Sequence, residues 1–125
     1  MDFKLELVAI PVTDVDRAKA FYERAGFHAD HDQRVSDDLR FVQLTPPGSA
    51  CSICLGEGIT PAEPGSVRGM QLVVSDIEAA RAALVEGGVE VSEVQHLDWG
   101  DFVFFSDPDG NAWSVQALPS RGEDG

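Results

Sequence analysis

The chain predicts an α+β fold of two tandem βαβββ modules whose sheets form an open barrel or cleft. Three observations carry that reading. Residues 8–29 (VAIPVTDVDRAKAFYERAGFHA) recur without a gap as residues 70–91 (MQLVVSDIEAARAALVEGGVEV), 62 positions on, so Asp14 falls on Asp76, Lys19 on Arg81 and Gly26 on Gly88. The same spacing recovers further along, where Gly48 falls on Gly110 and Ser52 on Ser114. At 125 residues the chain holds one domain's worth of sequence, and a repeat of this length is too short to build a core by itself.

Each half follows one order. A strand rich in β-branched residues comes first, Glu6–Val12 and then Met70–Val74. Thr13-Asp14 and Ser75-Asp76 supply capping oxygens for helices over Val15–Ala25 and Ile77–Glu86. Those helices set Ala18, Phe21 and Tyr22, or Ala80, Ala83 and Leu84, on one stripe. Ala25-Gly26 and Gly87-Gly88 end them, because glycine accepts the left-handed backbone that closes a helix. Three strands then follow in each half: Phe27–Asp32, Leu39–Thr45 and Ala50–Gly56, then Val89–Gln95, Phe102–Ser106 and Ala112–Leu118. Pro46-Pro47-Gly48 and Asp107-Pro108-Asp109-Gly110 are turn sequences between the last two strands of each half. The expected organisation is one domain over residues 1–125: module one at 5–56, a Pro/Gly-bearing linker at 57–68, module two at 69–118 and a frayed tail at 119–125.

Composition narrows the function. A formal net charge of -13 argues against nucleic acid and anionic membranes as partners, since both are polyanions. The N-terminus has neither a basic leader nor a continuous apolar run, and nothing is long enough to span a bilayer, so cytoplasmic residence is expected. Cys51 and Cys54 do not amount to a disulfide framework, and in a strand residues three apart face opposite sides. The same divergence argues against a metal site at His28 and His31.

The duplicated βαβββ order, the "A-F-Y-E-R-A-G-F" helix end and "F-F-S-D-P-D-G-N" resemble the vicinal oxygen chelate superfamily of glyoxalases, extradiol dioxygenases and bleomycin-resistance proteins. The resemblance spans residues 5 to 118 and implies a homodimer. Members that use a metal draw it from four positions related by the repeat, which land here on Leu7, Ser52, Gly69 and Ser114. The metal-using enzymes place His, Gln or Glu there. Leucine and glycine offer no donor and a neutral hydroxyl is a poor one, so no metal and no cofactor is expected.

Those positions also fix which strand faces look into the cleft, since side chains alternate. The inward set in module one is Leu7, Ala9, Phe41, Gln43 and Cys54. In module two it is Gln71, Phe102, Phe104, Ser114 and Gln116, with Trp99 at the rim. Trp99 has two readings, stacking on a flat ligand or packing on a partner subunit, whereas Trp113 takes the opposite parity and belongs under a helix. The set is small, neutral and aromatic, as in pockets for planar organic ligands. His96, Asp98 and Asp101 are the only acid–base candidates near the cleft mouth.

Three functional readings stand at this point. The leading one is metal-independent binding of a hydrophobic or aromatic small molecule, as in the antibiotic-sequestering branch of the family. The second is a metal-free lyase, isomerase or cyclase using a rim acid–base residue. The third is a metal-dependent lyase or dioxygenase whose ligands lie elsewhere.

Overall fold

The computed structural model describes residues 1–119; most of the expected tail lies outside the described residues. Module one runs β1 (Leu7–Ala9), α1 (Val15–Arg24), β2 (His28–Ser36), β3 (Leu39–Thr45) and β4 (Ser52–Glu57). Module two runs β5 (Arg68–Val74), α2 (Ile77–Glu86), β6 (Gln95–Leu97), β7 (Gly100–Ser106) and β8 (Ala112–Ala117). Each module folds into a four-stranded mixed sheet, ordered β1-β4-β3-β2 and β5-β8-β7-β6, with the first strand parallel to the last. The duplicated α+β architecture is therefore as the repeat predicts, in an open arrangement with no closed barrel.

The local chemistry that starts and stops the helices is the same twice. Asp14 accepts the Arg17 N–H at 3.0 Å and Asp76 accepts the Ala79 N–H at 3.1 Å. Each helix closes on a residue still in right-handed geometry, Ala25 or Gly87, and the following glycine turns the chain out at φ 103° (Gly26) or 85° (Gly88).

Most element ends shift by one or two residues, and three elements depart further from expectation. β1 stops at Ala9, short of Pro11, which has no N–H to give a ladder. β2 continues to Ser36, four residues past its expected end, through a hairpin closed by Asp37-Asp38. The strand expected at Val89–Gln95 is displaced to Gln95–Leu97. Beside β7 one backbone bond remains at this point, from the Ser92 N–H to the Phe104 carbonyl at 2.9 Å; the Ser92 hydroxyl accepts the Phe104 N–H at 2.9 Å, and Arg81 Nε donates to the Ser92 carbonyl at 2.8 Å. Side chains thus replace half of the ladder at Ser92, and residues 89–94 pack as an irregular segment with Val89 buried.

One core serves both modules. It joins Ile10, Phe21, Tyr22, Phe27, Val42, Leu44, Ile53 and Leu55 to Leu84, Val103, Phe105, Trp113 and Val115. Rings cross the module boundary: Tyr22 and Trp113 have centroids 5.8 Å apart, Phe27 and Trp113 5.6 Å, Phe21 and Phe105 6.1 Å. The halves therefore meet through their helix-side surfaces, and each sheet keeps an open face of its own. The initial picture of two halves facing each other across a cleft needs that refinement.

Polar groups lock the seam. Asp107, 4% exposed, accepts the Tyr22 hydroxyl at 2.8 Å and the Asn111 side-chain amide at 2.8 Å on Oδ2, and the Asp109 and Asn111 N–H groups on Oδ1. Asn111 donates onward to the Pro11 carbonyl at 2.9 Å and accepts the Val67 N–H at 3.0 Å. Thr13 adds its N–H and hydroxyl to Asp109. The side-chain oxygens and amide of Asp107 and Asn111 are all engaged, some within the turn and some across the seam, which is the condition under which buried polar groups stabilise.

Candidate functional site

The side chains left over from the core define the site. On β3, Val42 and Leu44 are fully buried, so Phe41, Gln43 and Thr45 take the other face. On β4, Ile53 and Leu55 lie in the core, and Ser52 and Cys54 oppose them. On β7 and β8, Val103, Phe105, Trp113 and Val115 are core, which puts Phe102, Phe104, Ala112, Ser114 and Gln116 on the open side. Leu7 and Ala9 stand beside Ser52 and Cys54 in the ladder, and Gln71 and Val73 beside Ser114 and Gln116. The parity inferred from sequence matches this placement.

Module one's open face pairs an apolar strip with a polar string. Leu7, Ala9, Phe41 and Cys54 make the strip, where burial pushes the Cys54 thiol up and keeps it neutral. The string runs from Asp30 to Thr45 to Ser52 to Gln43: the Thr45 hydroxyl donates to Asp30, the Thr45 and Ser52 hydroxyls lie 2.6 Å apart, and Gln43 donates to Ser52 at 3.4 Å. Sequence reasoning missed Asp30. A register shift between Ala29 and His31 adds one residue to β2 and turns the carboxylate toward Thr45. His31 stands opposite Gln43 and Gln33 opposite Phe41, so this face continues onto β2.

Module two's open face is more aromatic. Phe102 and Phe104 stack with planes 5° apart and centroids 5.9 Å apart; Phe102 is buried and Phe104 is 38% exposed. Gln71 donates to Gln116 at 2.8 Å and accepts the Ser114 hydroxyl at 3.0 Å. Gln116 in turn donates to the Trp99 carbonyl at 2.7 Å, tying the β6–β7 turn to the sheet. Gly100 makes that close approach possible, since at φ 143° an added Cβ would lie 2.6 Å from the Ala117 carbonyl. Trp99 is left 61% exposed at the tip of that turn. Among the described residues, the polar and ring contacts of each open face stay within its own sheet.

The expected metal positions need one correction. The β5 ladder, which breaks between Arg68 and Met70, runs two residues out of step with the 62-residue repeat, so it sets Gln71, not Gly69, against Ser114. The four positions are then Leu7, Ser52, Gln71 and Ser114, which offer two hydroxyls, one amide and no imidazole, thiolate or carboxylate. That donor set does not fit a catalytic zinc or iron ion. Nor do three His, Cys, Asp or Glu residues cluster anywhere among the described residues closely enough to hold one.

The acid–base candidates fall on the wrong side. His96 Nδ1 lies 2.7 Å from Asp101 Oδ1, a real pair, but the two oppose each other in the ladder one step from Gln95 and Phe102. Alternation puts them on the face opposite Phe102. Asp98 sits in the exposed turn beside Trp99. No proton donor of this set reaches the open face.

Three arginines near the sheets are committed to partners elsewhere. Arg40 holds Asp16 and Asp32 at 2.9 Å on the helix side, Arg34 holds Glu57 at 2.9 Å, and Arg68 holds the Gly110 carbonyl at 2.6 Å. Among the described residues no helix is long and apolar enough to cross a membrane.

Comparison with known proteins agrees with this geometry. An antibiotic-binding protein, TnmS3 from Streptomyces sp. CB03234, is 35% identical, with a TM-score of 0.84 over 94% of this chain and 98% of its own. A glyoxalase/bleomycin resistance protein from the same organism is 37% identical, with a TM-score of 0.78 over 90% and 99%. Uncharacterised protein YetH of Bacillus subtilis (strain 168) is 26% identical over 112 residues, 87% of this chain and 93% of its own. The family description that matches residues 4–115 completes the assignment: the chain belongs to the Glyoxalase/Bleomycin resistance protein/Dioxygenase superfamily.

Proposed function

We propose that the protein binds an uncharged or weakly basic aromatic small molecule without a metal, and that it acts by sequestration, as an antibiotic-resistance protein would. The observation that carries this reading is the open face of module two. A stacked Phe102–Phe104 pair with an exposed outer ring, flanked by an exposed Trp99 and a fixed row of amides, is a surface built to receive a flat apolar group. The likeness to an antibiotic-binding protein at 35% identity supports the ligand class.

Each open face is only one wall of a pocket. A homodimer that sets the module-one face of one protomer against the module-two face of its partner would supply the second wall. Stacking would then come from Phe102, Phe104 and Trp99. Leu7, Ala9 and Phe41 would cover the ligand, and Asp30 with Gln43 would accept hydrogen bonds from its hydroxyls or amines. The Asp30–Thr45–Ser52 string is the one hydroxyl–carboxylate contact described on these faces, and we assign it to ligand hydrogen bonding, so binding rather than turnover is the proposed activity.

The test is a titration of the purified protein with aromatic antibiotics, followed by Trp99 fluorescence and by chromatography of the recovered compound. Saturable quenching with the compound returned unchanged is the expected result. A chemically altered product would replace the binding reading with an enzyme.

A further inference from the structure

A second groove lies at the seam between the modules, where it borders module two's open face only along the edge strand β5, at Gln71 and Val73. It has a volume of about 410 Å³ and is walled by Pro46 and Pro47 on one side, Ala80, Ala83 and Leu84 of α2 on the other, with Phe27 between the modules. The internal repeat shows what this place normally holds. Ala83 and Leu84 are the counterparts, 62 residues on, of Phe21 and Tyr22 on α1. In the first half those two rings are buried, and Tyr22 packs on Trp113 with its hydroxyl fixed by Asp107. The loop that seals them, Asp107–Asn111, has as its counterpart the β3–β4 loop, which begins Pro46-Pro47-Gly48-Ser49 and carries neither carboxylate nor amide.

Two aromatic rings and a polar latch are therefore missing from one side of a pseudo-symmetric molecule, and the space they would fill is open. Such a volume falls within the range of small-ligand pockets, about 300–1,000 Å³. Among the described residues no charged side chain lines it. Its two polar side chains are already engaged: Ser49 bonds the Cys51 backbone, and Gln71 bonds Gln116 and Ser114. An apolar cavity left by absent side chains takes molecules shaped like those side chains, as engineered cavities do.

We propose that this groove is a second binding site, centred on the α2 side of β5 rather than on the Phe102–Phe104 surface, for a small uncharged aromatic of one or two rings. The ring would lie between the Pro46-Pro47 edge and the Ala80–Ala83 face of α2, where Phe21 and Tyr22 lie in the other half.

The experiment uses phenol and naphthalene as probes and backbone amide NMR on the whole protein. Saturable shifts are expected at Gly48, Ala80 and Ala83. Refilling the groove with the other half's residue, Ala83→Phe, should weaken probe binding there about tenfold or more, a change of about 1.4 kcal/mol. Ala80→Leu, which fills the same wall from one turn away, guards against a variant that misfolds. Phe104→Ala on the open face should leave the groove shifts unchanged. Shifts confined to Trp99, Phe102 and Phe104, or undiminished in both filled variants, would overturn the proposal. So would filled variants that alter the protein's mass in solution, because the groove would then be an interface with a second copy.

Discussion

Tyr22 and Asp107 are 85 residues apart in sequence, yet the tyrosine hydroxyl donates to the carboxylate at 2.8 Å inside the core. The same hydroxyl accepts the Trp113 indole N–H at 3.0 Å, so one oxygen of module one satisfies two buried groups of module two. Burial and the neighbouring Asp107 charge push the Tyr22 phenol far above its ordinary value, which holds it neutral and donating.

Tyr22→Phe keeps the ring and removes only that oxygen. The indole N–H then has no acceptor and Asp107 loses a donor. We expect a loss of about 1–3 kcal/mol, measured by urea unfolding at neutral pH. Because the folded phenol value is raised, the stabilisation is fully present below the unfolded value of about 10 and is lost as pH rises beyond it. The gap between wild type and Tyr22→Phe should therefore narrow above about pH 10. An unchanged gap there would mean that the oxygen matters through packing alone.

A surface cluster sets the acid limit. Hydrogen bonds from Arg40 and then from Lys19 lower the Asp32 carboxyl to about 2. The unfolded value is about 3.9, so the contribution is fully present above about pH 4 and is lost as pH falls through the folded value. Solvent screening at this half-buried site limits it to about 1 kcal/mol. Asp32→Asn should cost about that much at pH 6 and almost nothing near pH 2, by unfolding at the two conditions.

Metal content is a separate check on the donor set at Leu7, Ser52, Gln71 and Ser114. Protein purified without chelator should carry substoichiometric zinc, iron, manganese and nickel by elemental analysis. Added zinc should not raise its unfolding temperature, since an ion that binds only the folded chain stabilises it in proportion to the logarithm of its concentration. One ion per chain held within about 2.5 Å of these side chains would overturn the metal-independent reading.

Much of this architecture could be seen in the sequence because it was written twice. Alternation of Val42 and Leu44 with Phe41 and Gln43 showed which face was which, since a strand's period leaves no third choice. The failures cluster where one residue is inserted or one side chain replaces the ladder. Gly69 was aligned as a site position, but a glycine inside a strand marks a bulge, and the ladder on either side of it runs out of step with the repeat, so that Gln71 takes the place opposite Ser114. Asp30 was hidden by the same kind of event on β2. β6 begins late, where Ser92 bonds the Arg81 guanidinium and the Phe104 N–H through atoms outside a regular ladder, contacts with no periodic signature. The Asp107–Asn111 latch was visible only as turn chemistry, although an Asp and an Asn bracketing Pro-Asp-Gly offer more side-chain acceptors and donors than a turn needs.

Ligand affinity should rest on rings rather than charge. The open faces carry Phe41, Phe102, Phe104 and Trp99, while Arg34, Arg40 and Arg68 are committed to partners elsewhere. Phe104 is the ring with both a stacking neighbour and a free side, so Phe104→Ala should weaken binding of an aromatic antibiotic by about 1–3 kcal/mol, from lost burial and stacking. Arg34→Ala and Arg68→Ala should change affinity by less than about 0.5 kcal/mol. Calorimetry at low and high sodium chloride separates the two accounts, because ion pairs weaken with salt and ring stacking does not. Affinity that collapses with salt or with one arginine, with the phenylalanines silent, would make this an anion site on a different face. Phe102 offers the internal control: it is buried beneath Phe104, so its truncation should lower both stability and affinity, whereas Phe104→Ala should lower affinity alone.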